Sequence, residues 1–147
     1  MILEASDLKR ILPHGPPIFM LDRLIDLYPR QRGTGLRTLS ADDPCFAGHF
    51  PGHPIFPGVF FIEGLAQTAA AVFLVDQTPV VAGASFGVLA KVNEMAFYHP
   101  IVPGDSIEFK IEVERTIGPF SIVRGEVFVK GRRCGAGKLT LKMGAPP

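Results

Sequence analysis

Polar and apolar residues alternate through most of the second half of the chain, and this alternation predicts strands. The clearest segment is SIEFKIEVERT, residues 106–116, in which Ile107, Phe109, Ile111 and Val113 share one face. FSIVRGEVFVKG and CGAGKLTLKM continue the pattern, and ASFGVLAKVNEMAFY precedes it as a long strand that we expect to contain a bulge. This alternation is typical of an antiparallel sheet with one buried face and one solvated face.

The first forty residues predict three short elements. SDLKRIL, residues 6–12, has the spacing of a short amphipathic helix that ends at Pro13. IFMLDRLIDLY, residues 18–28, fits a strand or a helix by pattern, and the prolines on both sides favour a strand. GTGLRTLSA then predicts a second, more polar strand after a turn.

A stiff loop and one apolar helix occupy the middle of the chain. The loop DDPCFAGHFPGHPIFPG, residues 42–58, holds four prolines and three glycines, which oppose regular structure. The helix is predicted to begin near Pro57 and Gly58 and to run to about Val75 or Asp76, with a stop near Pro79. An α+β fold follows, in which a curved antiparallel sheet of about six strands wraps around one long central helix.

Composition narrows the class of protein. The 147 residues suit a single domain, 1–147, and 47% of them are hydrophobic, which is enough for a core. The net charge of +1, with no basic stripe, gives no reason to expect a nucleic-acid partner. The helix is too short and too polar at two positions to predict a membrane span. We expect no structural metal, because neither Cys45 nor Cys134 has metal-type spacing. We expect a cytoplasmic protein, because the sequence does not open with the pattern of a secretory signal.

One carboxylate interrupts the apolar helix. Glu63 and Gln67 are four residues apart and therefore share a helix face. Burying an unpaired carboxylate costs several kcal/mol, so Glu63 requires a partner or a cleft. Candidate partners are Gln67, a core arginine such as Arg23, or a water-filled cleft that also contains His49 from the preceding loop. A buried carboxyl group suits a general acid, and an imidazole suits a general base near neutral pH.

The start of the helix provides a third chemical element. The backbone N–H groups of Gly58 and Val59 have no acceptor within the helix and lie at the positive end of its dipole. Gly58 has no Cβ, so a ligand can approach the backbone closely. We expect these amides to stabilise negative charge that develops on a carbonyl oxygen.

These residues also have simpler interpretations. A Cys45–His49 nucleophile pair is conceivable from spacing alone. His14 and His99 stand beside prolines, which favours a structural role or a place at the rim of the site. Four phenylalanines either line a channel for an acyl chain or pack in the core: Phe50, Phe56, Phe60 and Phe61.

The central segment GHFPGHPIFPGVFFIEGLAQ, residues 48–67, resembles the signature of the bacterial 3-hydroxyacyl-(acyl-carrier-protein) dehydratases, which have the hot-dog fold. The resemblance continues in ILPHGPPIFMLDRLIDL and in HPIVPGDSIEFKIEVER, so it covers nearly the whole chain. It implies that His49 is the catalytic histidine and Glu63 the catalytic acid. It also implies that Gly58, with Val59, binds the thioester carbonyl and that Gln67 orients Glu63 or a water.

The resemblance implies a lyase that removes water from (3R)-3-hydroxyacyl thioesters on acyl carrier protein and forms trans-2-enoyl thioesters, without a metal or cofactor. The isomerising relatives have Asp where this chain has Glu63, which favours the non-isomerising type. In the family, one site takes its histidine and its acid from different subunits. The implied assembly is a homodimer, with a trimer of dimers or a hetero-oligomer as alternatives.

Three differences from the family pattern concern the carrier protein. His53 replaces a common lysine, HGPP at residues 14–17 replaces a His-Arg-aromatic-Pro run, and FYHP at 97–100 lacks basic residues. These changes leave open whether the chain serves fatty acid biosynthesis or a specialised polyketide or polyene pathway. The alternative functions are a hot-dog thioesterase and a non-catalytic subunit of a hetero-oligomeric dehydratase.

Overall fold

A single antiparallel sheet carries most of the secondary structure in the computed structural model, which describes residues 1–77 and 86–145. Its seven strands lie in the order β1-β2-β3-β5-β6-β7-β4. The strands are β1 (Leu3–Glu4), β2 (Arg23–Tyr28), β3 (Arg32–Thr38), β4 (Phe86–Phe97), β5 (Ser106–Ile117), β6 (Phe120–Val129) and β7 (Arg132–Gly144). The helices are α1 (Ala5–Ile11) and α2 (Gly58–Leu74), with one 3₁₀ turn at Pro44–Phe46.

The long helix α2 packs across the sheet, from β2 at one side to β4 at the other. Its buried residues include Phe61, Leu65 and Val72, which belong to the same core as Phe109 of β5 and Leu139 of β7. This is the predicted hot-dog arrangement, with one more strand than expected. The additional strand is β1, whose two residues are too few to produce an alternating pattern in the sequence. The alternation predicted for β5 is confirmed, since Ile107, Phe109 and Ile111 are buried.

Glycines in the strands allow α2 to lie close to the sheet. A Cβ added to Gly35 of β3 would lie 2.3 Å from Thr68 Oγ1, and one added to Gly125 of β6 would lie 2.7 Å from Leu65 Cδ1. Real Cβ atoms essentially never show such short distances, so a larger residue at either position would force the side chain of Thr68 or Leu65 to move. The strand pattern alone gave no indication of this close approach.

The predicted boundaries of the strands and the helix agree with the structure only in part. The strand expected from Ile18 begins only at Arg23, because Ile18 and Met20 use their backbone groups to bond Gln67 of α2 instead of a neighbouring strand. The bulge expected in the strand after α2 is confirmed by two register shifts between β4 and β7. The predicted helix stop near Pro79 lies outside the described residues.

Within residues 1–77 and 86–145, no helix is both long enough and apolar enough to cross a membrane. The cytoplasmic location stays a prediction.

Candidate active site

The loop that carries His49 is closed by its own backbone. The N–H of Phe50 donates to the carbonyl of His53 at 3.0 Å, and the N–H of His53 donates to the carbonyl of Phe50 at 2.8 Å. Gly52, at the third position of this turn, has φ +76°, which is the conformation that a type II turn requires after a proline. The N–H of Ile55 then donates to the carbonyl of His49 at 2.8 Å. The prolines and glycines therefore define the position of His49, as expected.

The ring of His49 is oriented by a hydrogen bond to the same loop. Its Nδ1 lies 2.8 Å from the carbonyl oxygen of Ile55. A carbonyl can only accept, so Nδ1 carries the hydrogen, and in the neutral ring Nε2 has the lone pair. The ring also stacks on Phe50, with centroids 4.2 Å apart. In this tautomer, Nε2 is ready to accept a proton.

The start of α2 lies beside His49. The N–H of Phe60 donates to the carbonyl of Pro57 at 2.9 Å, whereas no acceptor in the described part of the chain bonds the amides of Gly58 and Val59. His49 and Gly58 line the same open cavity of about 330 Å³. A Cβ on Gly58 would lie 3.0 Å from the ring of Phe97, so this position has little room for a larger side chain. The predicted base and the free amides therefore share one cleft.

Glu63 lies in a separate environment on α2. Its Oε1 accepts a hydrogen bond from Gln67 Nε2 at 2.8 Å, which confirms Gln67 as its neighbour. The Nε2 of His14 lies 3.5 Å from the same oxygen. Gln67 also accepts from the N–H of Met20 at 3.0 Å and donates to the carbonyl of Ile18 at 2.8 Å. The buried Gln67 amide thus joins the N-terminal segment to the carboxyl group.

Arg23 is not the partner of Glu63, and that alternative is wrong. Its guanidinium binds Glu4 at 2.8 Å, and both side chains are about half exposed. The β2 strand places Arg23 on the solvent face, while its neighbour Leu24 is buried. The position of His14 against Glu63 was missed because the two residues are far apart along the chain and no local spacing connects them.

Within the chain, His49 and Glu63 do not meet in the cavity beside Gly58. Glu63 follows Gly58 by five residues, which places it roughly 140° farther around the helix. The cavity lining comprises His49, Ile55, Phe56, Gly58, Phe61 and the segment 97–100. The chain therefore brings together the predicted base and the free amides, and separately Glu63, Gln67 and His14.

The predicted channel residues divide among different surroundings. Phe60 lines a largely apolar cavity of about 280 Å³ next to Ile18 and Met20, and Phe56 lines both this cavity and the cavity of His49. Phe50 is 52% exposed and covers His49, and Phe61 is buried against the cavity of His49. The acyl-channel role of Phe50, Phe56 and Phe60 stays a prediction.

Cys45 gives no support to a nucleophile pair. It lines the apolar cavity of Phe56 and Phe60, whereas His49 lines the cavity beside Gly58. Burial raises the pKa of the Cys45 thiol, which disfavours the reactive thiolate.

Comparison with known protein families identifies the family of this chain. Residues 12–137 match the model of the FabA-like domain. The chain belongs to the FabA-like family. A relative from Syntrophomonas wolfei, named 3-hydroxyacyl-(acyl-carrier-protein) dehydratase FabZ, is 34% identical over 97% of this chain and 96% of its own length. A second relative with that name, from Syntrophotalea carbinolica, is 34% identical over 89% of this chain and 88% of its own length.

Solved structures support the fold. The dehydratase heterocomplex ApeI:P from Xenorhabdus doucetiae contains a chain with a TM-score of 0.78 and 21% identity, covering 95% of this chain and 91% of that one. A hypothetical thioesterase with coenzyme A from Streptococcus pneumoniae has a TM-score of 0.61 and 10% identity, covering 84% and 87%. At such identities the likeness concerns the fold, which dehydratases and thioesterases share.

Proposed function

We propose that this protein is a 3-hydroxyacyl-(acyl-carrier-protein) dehydratase, a hydro-lyase that converts (3R)-3-hydroxyacyl thioesters to trans-2-enoyl thioesters. The observation that carries the proposal is the hydrogen bond from His49 Nδ1 to Ile55, which in the neutral ring leaves Nε2 as an acceptor, in the cavity that His49 and Gly58 line together. The two relatives that align over most of the chain carry the name of this activity.

The proposed reaction uses each of these groups once. His49 Nε2 takes the α-proton, and the electron pair of that C–H bond moves toward the thioester carbonyl. The amides of Gly58 and Val59 stabilise the charge on the carbonyl oxygen. Glu63 gives its proton to the 3-hydroxyl group, the C–O bond breaks, and water leaves as the new double bond forms. The thioester already activates the α-proton, so the proposal includes no metal or cofactor.

The proposal includes a dimer in which His49 of one subunit meets Glu63 of the other. Within one chain, Glu63 lies on a different side of α2 from the cavity that His49 lines, which supports this arrangement. The edge strand β4 supports it as well, because Val88, Leu89 and Val92 are 37–48% exposed there. Such an apolar edge is normally covered by another element or chain. A homodimer is the minimum unit, and a trimer of dimers or a hetero-oligomer would contain it.

The substrate arrives on acyl carrier protein in this proposal. The cavity of Phe56 and Phe60 is apolar enough to accept part of an acyl chain. The proposed pathway is fatty acid biosynthesis or a related polyketide or polyene synthesis. Rate measurements with thioesters whose acyl chains differ in length and unsaturation would identify the preferred substrate.

A two-signal assay tests the reaction. With a crotonyl thioester, hydration lowers the enoyl absorbance, and a thiol reagent detects any hydrolysis. We expect loss of enoyl absorbance without free thiol. Thiol release would assign a thioesterase, and no change in either signal from the purified chain would assign a non-catalytic subunit.

Subunit mixing tests the shared site. His49→Ala and Glu63→Gln subunits are each expected to keep only a low residual rate, and a mixed dimer would contain one complete site of two. Random exchange should restore about a quarter of the original activity. No recovery after exchange has been demonstrated by mass spectrometry would contradict the shared site.

A further inference from the structure

His14 lies against Glu63, and the reaction described above does not use it. Its Nε2 is 3.5 Å from Glu63 Oε1, and the two side chains are 21% and 29% exposed. The residue sits between two hydrogen-bonded turns: Leu12 donates to Leu8 at the end of α1, and Phe19 donates to Gly15 at 3.0 Å. The backbone on both sides of His14 is therefore fixed, and the ring is placed beside the carboxyl group by the fold.

The two oxygens of Glu63 have different surroundings. Gln67 Nε2 and His14 Nε2 both approach Oε1, at 2.8 Å and 3.5 Å. Among the described residues, none donates a hydrogen bond to Oε2. A carboxyl group whose one oxygen receives donors carries its proton on the other oxygen. The geometry therefore assigns the acidic proton to Oε2.

The state of the His14 ring follows from its burial. Nδ1 is buried and has no hydrogen-bond partner in the described structure. An imidazolium would leave a buried N–H donor unsatisfied there, which is costly. Burial lowers the pKa of His14, and the nearby Glu63 opposes this effect. A neutral ring with its hydrogen on Nε2 places the only donor toward Glu63. The distance exceeds an ordinary hydrogen bond, and such contacts commonly shorten when substrate binds.

We propose that His14 is a positioning residue for the dehydration: with Gln67 it holds Oε1 of Glu63, so that Oε2 delivers the proton to the leaving hydroxyl group. The two donors also stabilise the carboxylate that remains after the proton has left. This inference rests on the proposed function. His14 acts through Glu63 and does not contact the substrate.

Two substitutions at this position separate donation from packing. His14→Leu removes the donor, and His14→Gln can place an amide N–H near the original Nε2. In crotonyl-thioester hydration we expect His14→Leu to lower kcat about ten-fold, the effect of one charge-assisted hydrogen bond, with KM changed less than about two-fold. His14→Gln should recover most of kcat. Arg10→Leu is the control on the same segment, because its side chain is 75% exposed and binds Asp7. Equal losses in Leu and Gln, or no loss in Leu, would overturn the proposal.

A double-mutant cycle tests whether His14 acts through Glu63. In the Glu63→Gln background, adding His14→Leu should change the residual rate by less than about two-fold. A further ten-fold loss would show an independent role and overturn the inference. If Glu63→Gln is inactive while His14→Leu is fully active, only the role of His14 fails. If Glu63→Gln keeps full activity, the proposed acid is wrong and the inference fails with it.

Discussion

The two proton-transfer groups of the proposed site are held in different ways. His49 is positioned by its own loop, through hydrogen bonds that lie between residues 46 and 55. Glu63 is positioned by Gln67, which in turn bonds Ile18 and Met20 from a distant part of the chain. The base therefore depends on local chain conformation, whereas the environment of the acid depends on docking of the N-terminal segment onto α2.

Removal of the base should have the largest effect. His49→Ala should lower the hydration rate by about 10²–10⁴-fold, because it removes the imidazole that is proposed to take the α-proton. The far-ultraviolet circular dichroism spectrum should stay unchanged. His53→Ala is the matched control, since His53 is exposed and uses only its backbone in the turn. Turnover retained in His49→Ala would reject His49 as the base.

Loss of the Gln67 amide should affect stability and rate together. Gln67→Leu leaves the buried N–H of Met20 and the carbonyl of Ile18 without their partner, and it frees Glu63 Oε1. We expect a loss of about 2–4 kcal/mol in the free energy of unfolding, measured by urea denaturation. The hydration rate should also fall about ten-fold.

Thr68→Val provides the comparison for Gln67→Leu. Thr68 Oγ1 donates to the carbonyl of Gly64 within α2 at 2.8 Å and does not bond the N-terminal segment. This substitution should cost about 1 kcal/mol of stability and leave the rate unchanged. Equal effects of the two substitutions would contradict the linking role of Gln67.

Disturbance of the His49 loop should have a smaller effect. Gly52→Ala places a Cβ at φ +76°, which costs about 1–2 kcal/mol, and part of this strain should shift His49 and lower kcat a few-fold. Gly48→Ala is the matched control one residue before His49, where an added Cβ meets nothing within 4 Å. Thermal unfolding and kcat of both variants check this prediction. Unchanged stability and kcat in Gly52→Ala would show that the turn tolerates a side chain.

The smallest effect should appear in the pH dependence of stability. Burial lowers the pKa of His14 below its usual 6.5, so below that pH the unfolded chain takes up a proton that the folded chain excludes. The folded state therefore loses stability as the pH falls through this range. From about pH 7.5 to about pH 5, the wild type should lose more stability than His14→Gln, by a few tenths of a kcal/mol or more. Parallel stability curves for the two proteins would contradict this.

The sequence was informative where interactions are local. The alternation of polar and apolar residues predicted β5, and the predicted start of the long helix agrees with the observed start of α2 at Gly58. The motif around His49 was recognisable because its turn uses only adjacent residues. The contacts of His14 and the late start of the strand expected from Ile18 could not be predicted, because they depend on how the N-terminal segment meets α2. The glycines beneath the helix were missed for the same reason.

The exposed apolar edge of β4 has a practical consequence. A strand that presents Val88, Leu89 and Val92 to water is poorly suited to a solitary chain. If two chains cover this edge and complete each other's sites, dilution would expose the edge and remove catalysis in the same concentration range. The specific activity of the enzyme would then report how much of it is assembled.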